Sequence, residues 1–148
     1  MAIEVEINDG VCIIRMAGKT STQSFSMEFL PSIAQSINEA LSNSEVKAIV
    51  LTGEGRFFSA GADIHAFQEA IENNSAPELI RNLTGILHPL LVRMRTSSTI
   101  LIAALNGVSA GGGLGLALAC DARIGTSDAR MAASYAGMGL SPDGGTTW

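Results

Sequence analysis

The N-terminal residues alternate between hydrophobic and polar side chains. Residues 3–8, IEVEIN, place the two kinds on opposite faces, which is the period of a half-buried β-strand. The sequence NDG at 8–10 is typical of a tight turn, and the apolar residues 11–14 predict a strand that returns along the first. The pattern therefore predicts an N-terminal β-hairpin. Residues 18–24 are polar and predict a loop.

Two longer segments repeat hydrophobic residues at the three- and four-residue spacing of an amphipathic helix. They cover residues 26–41 and 78–95. Pro31 falls in the first turns of the first segment, where a missing backbone N–H is tolerated. The second segment predicts one long helix in spite of Pro89 within it. Residues 64–71 are also expected to be helical.

Two apolar runs alternate with these helices. Residues 47–52, KAIVLT, and 99–105, TILIAAL, predict buried strands. Each run leads into a glycine-rich bend, GEGRFFSAGADI at 53–64 and NGVSAGGGLG at 106–115. Further along, the pattern predicts a helix over 114–119, a strand over 122–126 and the start of a helix at 144–148.

The alternation of helices with buried strands predicts an α/β fold with crossover connections. The chain has 148 residues, of which 47% are hydrophobic and 16% charged, and this is the size and composition of one globular domain. Neither an internal sequence repeat nor a low-complexity linker interrupts it. We therefore expect residues 1–148 to form one domain.

Charge and composition argue against several kinds of partner and site. The net charge is −5 and no stretch is rich in Lys or Arg, so nucleic acid is not an expected partner. Residues 96–120 are uncharged, but the glycine-rich bend interrupts them, which favours a buried strand and helix over a membrane span. The acidic N-terminus is unlike a signal peptide, so a cytoplasmic location is expected. Cys12 and Cys120 lie in apolar surroundings without a CxxC or His cluster, which predicts buried reduced thiols and no metal site.

The bend at 106–115 fits three kinds of chemistry. Residues 107–111 match the G-x-S-x-G nucleophile elbow, which would make Ser109 a nucleophile. The glycines could instead surround the phosphates of a dinucleotide, or bare backbone N–H groups could hold a developing oxyanion. The elbow requires a histidine later in the chain, whereas His65 and His88 both precede Ser109. The dinucleotide motif requires a third glycine or alanine where this sequence has leucine.

The oxyanion hypothesis requires a second donor, and the earlier bend can supply it. Residues 56–64, RFFSAGADI, also follow a buried strand, turn at small residues and enter a helix. Two such units could place two backbone N–H groups on one carbonyl oxygen, and each such donor is worth roughly a hundred- to a thousandfold in rate. The sequence therefore favours an oxyanion hole built from both bends.

Three motifs resemble those of the crotonase, or enoyl-CoA hydratase/isomerase, superfamily. They are FFSAGADI, AALNGVSAGGGLGLALACDARI and MGLSPDGGTTW, in the order and spacing of the family. The resemblance covers nearly the whole chain and implies an α/β, crotonase-like spiral of ββα units, lacking the family's C-terminal helical region. It also implies an acyl-coenzyme A thioester as substrate and no cofactor beyond the coenzyme A of that substrate. A homotrimer or hexamer is implied for a full-length protein.

The resemblance assigns candidate site residues. The backbone N–H groups of Ala62 and Gly112 match the family's two oxyanion donors, which stabilise an enolate after a proton is removed beside the thioester carbonyl. Asp63 is either a coenzyme A contact or a helix cap. The other candidate contacts to the substrate in the two bends are Ala60, Gly61, Ile64 and Gly111.

Both glutamates that family hydratases use are missing here. The matching positions are Gly115 and Tyr135, so ordinary hydration is not expected, and Tyr135 is expected to form a wall of the pocket. Asp143, in SPDGG, matches an acid that isomerases of the family use. One carboxylate can remove a proton from one carbon and return it to another, and this is an isomerisation. The sequence therefore predicts an enoyl-CoA isomerase with Asp143 as its base.

Other activities stay open at this level. His88 matches a histidine of the family's chlorobenzoyl-CoA dehalogenase, although plain packing on the helix also accounts for it. Enoyl-CoA hydration, other crotonase chemistry and acyl-CoA binding without catalysis are the alternatives to isomerisation.

Overall fold

The computed structural model describes residues 3–17 and 22–147. Along the chain its elements are β1 (Ile3–Asn8), β2 (Val11–Met16), α1 (Phe29–Ser42), β3 (Ala48–Gly53), β4 (Phe57–Ser59), α2 (Ile64–Glu72), α3 (Ala76–Thr96), β5 (Ile100–Leu105), β6 (Val108–Ala110), α4 (Gly112–Leu118), β7 (Ala122–Gly125), β8 (Arg130–Ala132) and a 3₁₀ helix (Ala136–Met138).

The predicted N-terminal hairpin is confirmed. Strands β1 and β2 pair antiparallel, with Asn8 opposite Val11 at the closed end. Asp9 and Gly10 form the connection, and their φ angles are 47° and 80°. A positive φ at both positions is typical of a type I′ hairpin turn, and aspartate and glycine adopt it more readily than most residues.

A five-stranded sheet continues from this hairpin. Its order is β1-β2-β3-β5-β7, and all its pairs after the first are parallel. The predicted strands at 47–52 and 99–105 are confirmed as β3 and β5, which lie inside the sheet. Leu51 and Ala103 are neighbours across them and have no exposed surface. Helix α1 packs on β1, β2 and α3, so the hydrophobic faces of both predicted helices meet in the core.

Both glycine-rich bends contain a short strand that the pattern did not indicate. Strands β4 and β6 pair in parallel, and β8 completes a second sheet in the order β4-β6-β8. A strand of the large sheet thus leads three times into a strand of the small sheet, and the first two pairs are followed by helices. This is the spiral of ββα units that the resemblance implies.

The long helix begins two residues earlier than predicted. Helix α3 starts at Ala76, with Pro77 in its first turn, where the fixed φ of proline suits a helix start. Pro89 does not end the helix. Both Pro89 and Gly85, four residues before it, are exposed, and the backbone hydrogen bond that proline cannot make is therefore lost on the solvent side of α3.

Three further predictions concern the C-terminal residues, the loop at 18–24 and the uncharged segment. Residues 144–147 form turns and not the predicted start of a helix, and Trp148 lies outside the described residues. The predicted loop at 18–24 is described only from residue 22 onward. The uncharged segment 96–120 is divided among β5, β6 and α4, and no helix among the described residues is long and apolar enough to cross a membrane.

Candidate active site

The two glycine-rich bends touch each other through their backbones. Gly61 has a φ of +81°, and a Cβ atom there would lie 2.6 Å from the carbonyl oxygen of Ala110 and 2.8 Å from the amide nitrogen of Gly112. A Cβ atom at Gly113 would likewise collide with Ser59. Only glycine allows this approach, because any side chain would force the bends apart. The contact places residues about fifty positions apart in sequence at one site.

The backbone N–H of Ala62 points away from the segment around Phe25, which pairs with it. Phe25 donates its N–H to Gly61 O at 2.6 Å and accepts from the N–H of Asp63 at 3.3 Å. Since successive amides of an extended segment point to opposite sides, the N–H of Ala62, which lies between these two bonds, points away from Phe25. No described residue accepts a hydrogen bond from this N–H.

The amide of Gly112 is the second bare donor. Gly112 is the first residue of α4, and the first amides of a helix have no acceptor within the helix. No acceptor for it occurs among the described residues either. A Cβ atom at this position would press on the Phe25 ring at 3.2 Å, so the close approach of the ring favours glycine.

Ala62 and Gly112 both line one cavity of about 190 Å³. Tyr135 and Asp143 line it as well, so the structure brings together four of the predicted site residues. Apart from Thr84, Ser141 and Asp143 its side chains are mainly apolar. The other residues of the wall are Phe25, Leu30, Phe67, Ile80, Leu83, Leu87 and Leu140.

Asp143 brings the only carboxylate among the described residues of this wall. Its side chain is 38% exposed, and its Oδ2 lies 4.0 Å from Nε2 of His88, whose side chain is 47% exposed. At this exposure an ion pair adds little to stability. His88 lies on α3 beside the cavity but is not part of its wall.

The main chain of Asp143 is held by three donors. Its carbonyl oxygen accepts from Thr146 N at 3.1 Å, from Thr146 Oγ1 at 2.9 Å and from the Tyr135 hydroxyl at 3.3 Å. Burial, and next the nearby charge of Asp143, raise the pKa of Tyr135 to about 12. The hydroxyl therefore stays protonated and able to donate at neutral pH.

Gly115 lies where α4 meets the loop that carries Asp143. A Cβ atom at Gly115 would lie 2.5 Å from the carbonyl oxygen of Gly144. The backbone of the loop therefore fills the space into which a side chain at this position of α4 would grow. Gly115 and Tyr135, where the resemblance implies glutamates in hydratases, both adjoin the Asp143 loop and bring no carboxylate to the cavity.

The first bend's other candidates do not line this cavity. Asp63 caps α2, with its Oδ1 accepting from His65 N at 2.9 Å and from Ala66 N at 3.4 Å. Ile64 is 65% exposed. Ala60 donates its N–H to Thr22 O. A contact of these residues with coenzyme A stays a prediction, whereas the structure supplies the capping role of Asp63.

In the second bend, Ser109 is not placed to be a nucleophile. It has no exposed surface, and its hydroxyl donates to Gly113 O at 3.1 Å. Gly111 has a φ of +51° and precedes α4, with its N–H bonded to Ala132 O. The elbow hypothesis is therefore wrong for this chain.

The sequence did not single out several residues that build the site. Thr146 holds the Asp143 carbonyl, but a threonine after a glycine pair carries no distinctive signal. Leu83 and Leu87 appeared only as part of an amphipathic helix face. Apolar spacing identifies a buried face but does not distinguish a packed core from a cavity wall.

The chain is similar in sequence and in fold to known proteins. The family model described as enoyl-CoA hydratase/isomerase matches residues 6–148. The chain is 30% identical over 142 residues to a 1,2-epoxyphenylacetyl-CoA isomerase of Escherichia coli, covering 96% of this chain and 54% of the relative. It is 32% identical to a 4-chlorobenzoyl coenzyme A dehalogenase of an Arthrobacter species, covering 99% of this chain and 52% of the relative. A solved enoyl-CoA hydratase from Polaromonas superposes with a TM-score of 0.88 at 33% identity, over 100% of this chain and 57% of that one.

The similar proteins are longer and carry different activities in their names. The chain spans about half the length of the curated relatives it matches. The names of these similar proteins cover an isomerase, a dehalogenase and hydratases, so the match defines a family and a fold but not one reaction.

Proposed function

We propose that this chain, which belongs to the enoyl-CoA hydratase/isomerase family, binds an acyl-coenzyme A thioester and moves the double bond of its acyl group. One observation carries this proposal. Ala62, Gly112 and Asp143 line the same mainly apolar cavity, and the amides of the first two have no acceptor among the described residues. Donors for an oxyanion and one base are the groups that proton transfer beside a thioester requires.

The proposed reaction needs no group besides these three. The two amides hold the thioester oxygen, and the Asp143 carboxylate removes a proton from the carbon next to the carbonyl. The electrons of that C–H bond pass into the conjugated enolate, whose negative oxygen the amides stabilise. The protonated Asp143 then returns the proton to the far carbon of the enolate, so the double bond has moved and the base is regenerated.

Hydration is less well supported by the same cavity. Adding water across a double bond requires a group that activates the water as well as one that delivers the proton. Gly115 and Tyr135 occupy the positions where hydratases of the family carry glutamates. Among the described residues of the wall, Asp143 alone has a carboxylate.

Asp143→Asn tests the assignment of the base. We expect turnover of 3-hexenoyl-CoA, followed by the ultraviolet absorbance of the conjugated thioester, to fall by at least about a hundredfold. Affinity for hexanoyl-CoA, a saturated thioester that cannot react, should stay within about threefold because the amides and the apolar wall are unchanged. Asp128→Asn, at an exposed position between β7 and β8, is the matched control. Wild-type turnover in Asp143→Asn would refute the proposed base.

A second candidate reaction is the replacement of a ring chlorine in an aromatic acyl-CoA by the hydroxyl of a water molecule, with release of chloride and a proton. The 4.0 Å approach of His88 to Asp143 and the similarity to the Arthrobacter dehalogenase favour it. Chloride release from 4-chlorobenzoyl-CoA measures it directly. His88→Ala should abolish that reaction but leave double-bond migration within about threefold, because His88 has no part in the proposed isomerisation.

The remaining features belong to the same proposal. No cofactor is needed, because both the oxyanion and the moving proton are handled by residues of the chain. The homotrimer or hexamer that the resemblance implies for a full-length protein is tested by light scattering of that protein. The expected cytoplasmic location is tested by cell fractionation. Binding of hexanoyl-CoA without turnover of any thioester in a panel of enoyl chains would instead show a non-catalytic acyl-CoA-binding protein.

A further inference from the structure

The loop that carries Asp143 is enclosed between two other parts of the fold. On one side lies α4, and on the other lies the residue that precedes the 3₁₀ helix, Tyr135. Gly144 and Gly145 follow Asp143 with φ angles of +57° and +73°. These left-handed conformations turn the chain back toward α4 immediately after the carboxylate-bearing residue.

The contact with α4 is made by backbone on both sides. A Cβ atom on any other residue at position 115 would lie only 2.5 Å from the carbonyl oxygen of Gly144. The Cα atom of Gly144 would be 3.4 Å from the same Cβ. Gly115 and Gly144, which form the contact, are both buried, and Gly145, the next residue of the loop, is exposed. A side chain at position 115 would therefore force the Asp143 loop and α4 apart at this contact.

The contact with Tyr135 is polar. Its hydroxyl donates to the carbonyl oxygen of Asp143, which also receives both donors of Thr146. A buried tyrosine ring fixes the position of its hydroxyl, since only two side-chain torsions separate it from the backbone. The Cβ of a residue at position 144 would lie 3.8 Å from this hydroxyl, so the loop backbone packs directly beneath it.

We propose that Gly115 and Tyr135 are positioning residues that together form a seat for the Asp143 loop and so set where the Asp143 carboxylate lies in the cavity. The inference rests on the proposed function, since it assigns these residues to the base named there. It assigns a function to the two positions at which hydratases of the family carry glutamates and this chain does not. One leaves room for the loop, and the other holds its carbonyl.

The seat acts on catalysis through geometry. An aspartate side chain is short, so its carboxylate follows any movement of its backbone. A displacement of about 1 Å of a reacting group can lower a rate by about a hundredfold. The bare amides of Ala62 and Gly112 belong to the two bends and not to this loop, so binding of the thioester oxygen should be affected much less.

Gly115→Ala tests the first half of the seat, and Gly85→Ala is its control. Both glycines lie within helices, but a Cβ at Gly85 meets nothing within 4 Å. We expect Gly115→Ala to lower kcat for 3-hexenoyl-CoA by about tenfold or more while the Kd for hexanoyl-CoA changes by less than about threefold. Gly85→Ala should leave both constants at the wild-type values.

Tyr135→Phe and Thr146→Val test the second half, and they decide the question if Gly115→Ala does not fold. Each removes one hydroxyl from the Asp143 carbonyl and should lower kcat about three- to tenfold with an unchanged Kd. Thr146→Ser keeps the donor and should restore kcat to within about twofold of wild type. This rescue distinguishes a hydrogen bond that positions the loop from a simple loss of packing.

The outcomes separate this inference from the proposed function. If Asp143→Asn is inactive but Gly115→Ala, Tyr135→Phe and Thr146→Val turn over at the wild-type rate, the seat is overturned and the base stands. Equal losses of kcat and of hexanoyl-CoA affinity would also overturn the seat, because they show a general collapse of the cavity. An active Asp143→Asn removes the base, and the seat falls with it.

Discussion

Ser59 and Ser109 are matched residues on neighbouring strands of the small sheet. They face each other in the register of β4 and β6, and neither has any exposed surface. Ser59 Oγ donates to Gln23 O at 2.8 Å and accepts from Gly61 N at 3.2 Å, whereas Ser109 Oγ donates to Gly113 O. Each hydroxyl therefore satisfies main-chain groups of a tightly bent segment, which a buried polar side chain is expected to do.

Removal of one hydroxyl tests this structural role. We expect Ser109→Ala to lower the free energy of unfolding by about 1 kcal/mol, because the buried carbonyl of Gly113 loses its donor. Turnover should stay within about threefold of wild type. Urea unfolding and the isomerase assay measure the two quantities, and Ser32→Ala, which removes an exposed hydroxyl on α1, is the control. A folded Ser109→Ala that binds hexanoyl-CoA without turning over 3-hexenoyl-CoA would contradict this assignment.

At the residue scale, the sequence predicts which chemical group a residue offers better than it predicts which other residues that group contacts. Glycines in a bend indicate bare backbone, but the choice of Gly112 among them as the candidate donor came from the family resemblance. The sequence does not show that Gly61 touches Gly112, because nothing in either motif encodes a contact between segments about fifty residues apart. For the same reason the sequence does not show why position 115 needs a glycine, since the atom that a Cβ there would meet belongs to Gly144.

Among the elements, the short strands are what the hydrophobic pattern cannot show. Strands β4, β6 and β8 have three residues each, which is less than two full periods of alternation. They are stable because they pair with one another across the ββα units and not because of their own sequence. The longer strands β3 and β5, with their nearly all-apolar runs, could be placed to within one residue.

The start of α2 offers a test at the scale of one element. Asp63 caps this helix through His65 N and Ala66 N, so Asp63→Ala should lower the free energy of unfolding by about 1 kcal/mol. Asp63→Asn keeps an oxygen acceptor and should lose much less. Urea unfolding of the two variants provides the comparison. If Asp63 only caps the helix, both variants should keep the wild-type Kd for hexanoyl-CoA, whereas a higher Kd in both would indicate contact with the coenzyme.

Over the whole molecule, the three turns of the spiral share a structure without sharing a sequence. The second strands of the units read FFS, VSA and RMA, and no composition is common to them. Each unit meets a different neighbour, so each apolar position is fitted to its own surroundings. This is why no internal repeat is visible in the sequence, and why the spiral of ββα units was expected only from the family resemblance.

Buried groups with raised pKa values make the stability of the whole fold sensitive to alkaline pH. Burial, and next the charge of Asp121, raise the pKa of the Cys120 thiol from 9.0 to about 12. Burial and Asp143 raise that of Tyr135 from 10.0 to about 12. The folded state holds both protons more tightly than the unfolded state does. Their contribution to stability is therefore complete below pH 9.0 and is lost as the pH rises toward about 12.

Cys120→Ala and Tyr135→Phe separate these two contributions. Under reducing conditions, we expect the free energy of unfolding of the wild type to fall steadily from about pH 9 to about pH 11, because the unfolded chain releases the two protons first. Each variant loses one titrating group and should show a shallower fall, with the slope of Cys120→Ala reduced from a lower pH than that of Tyr135→Phe. Cys120→Ala should also be less stable at neutral pH, since removal of a buried sulfur leaves a small cavity. Urea unfolding at a series of pH values measures these slopes, and slopes identical to the wild type in both variants would show that the two groups titrate alike in the folded and unfolded states.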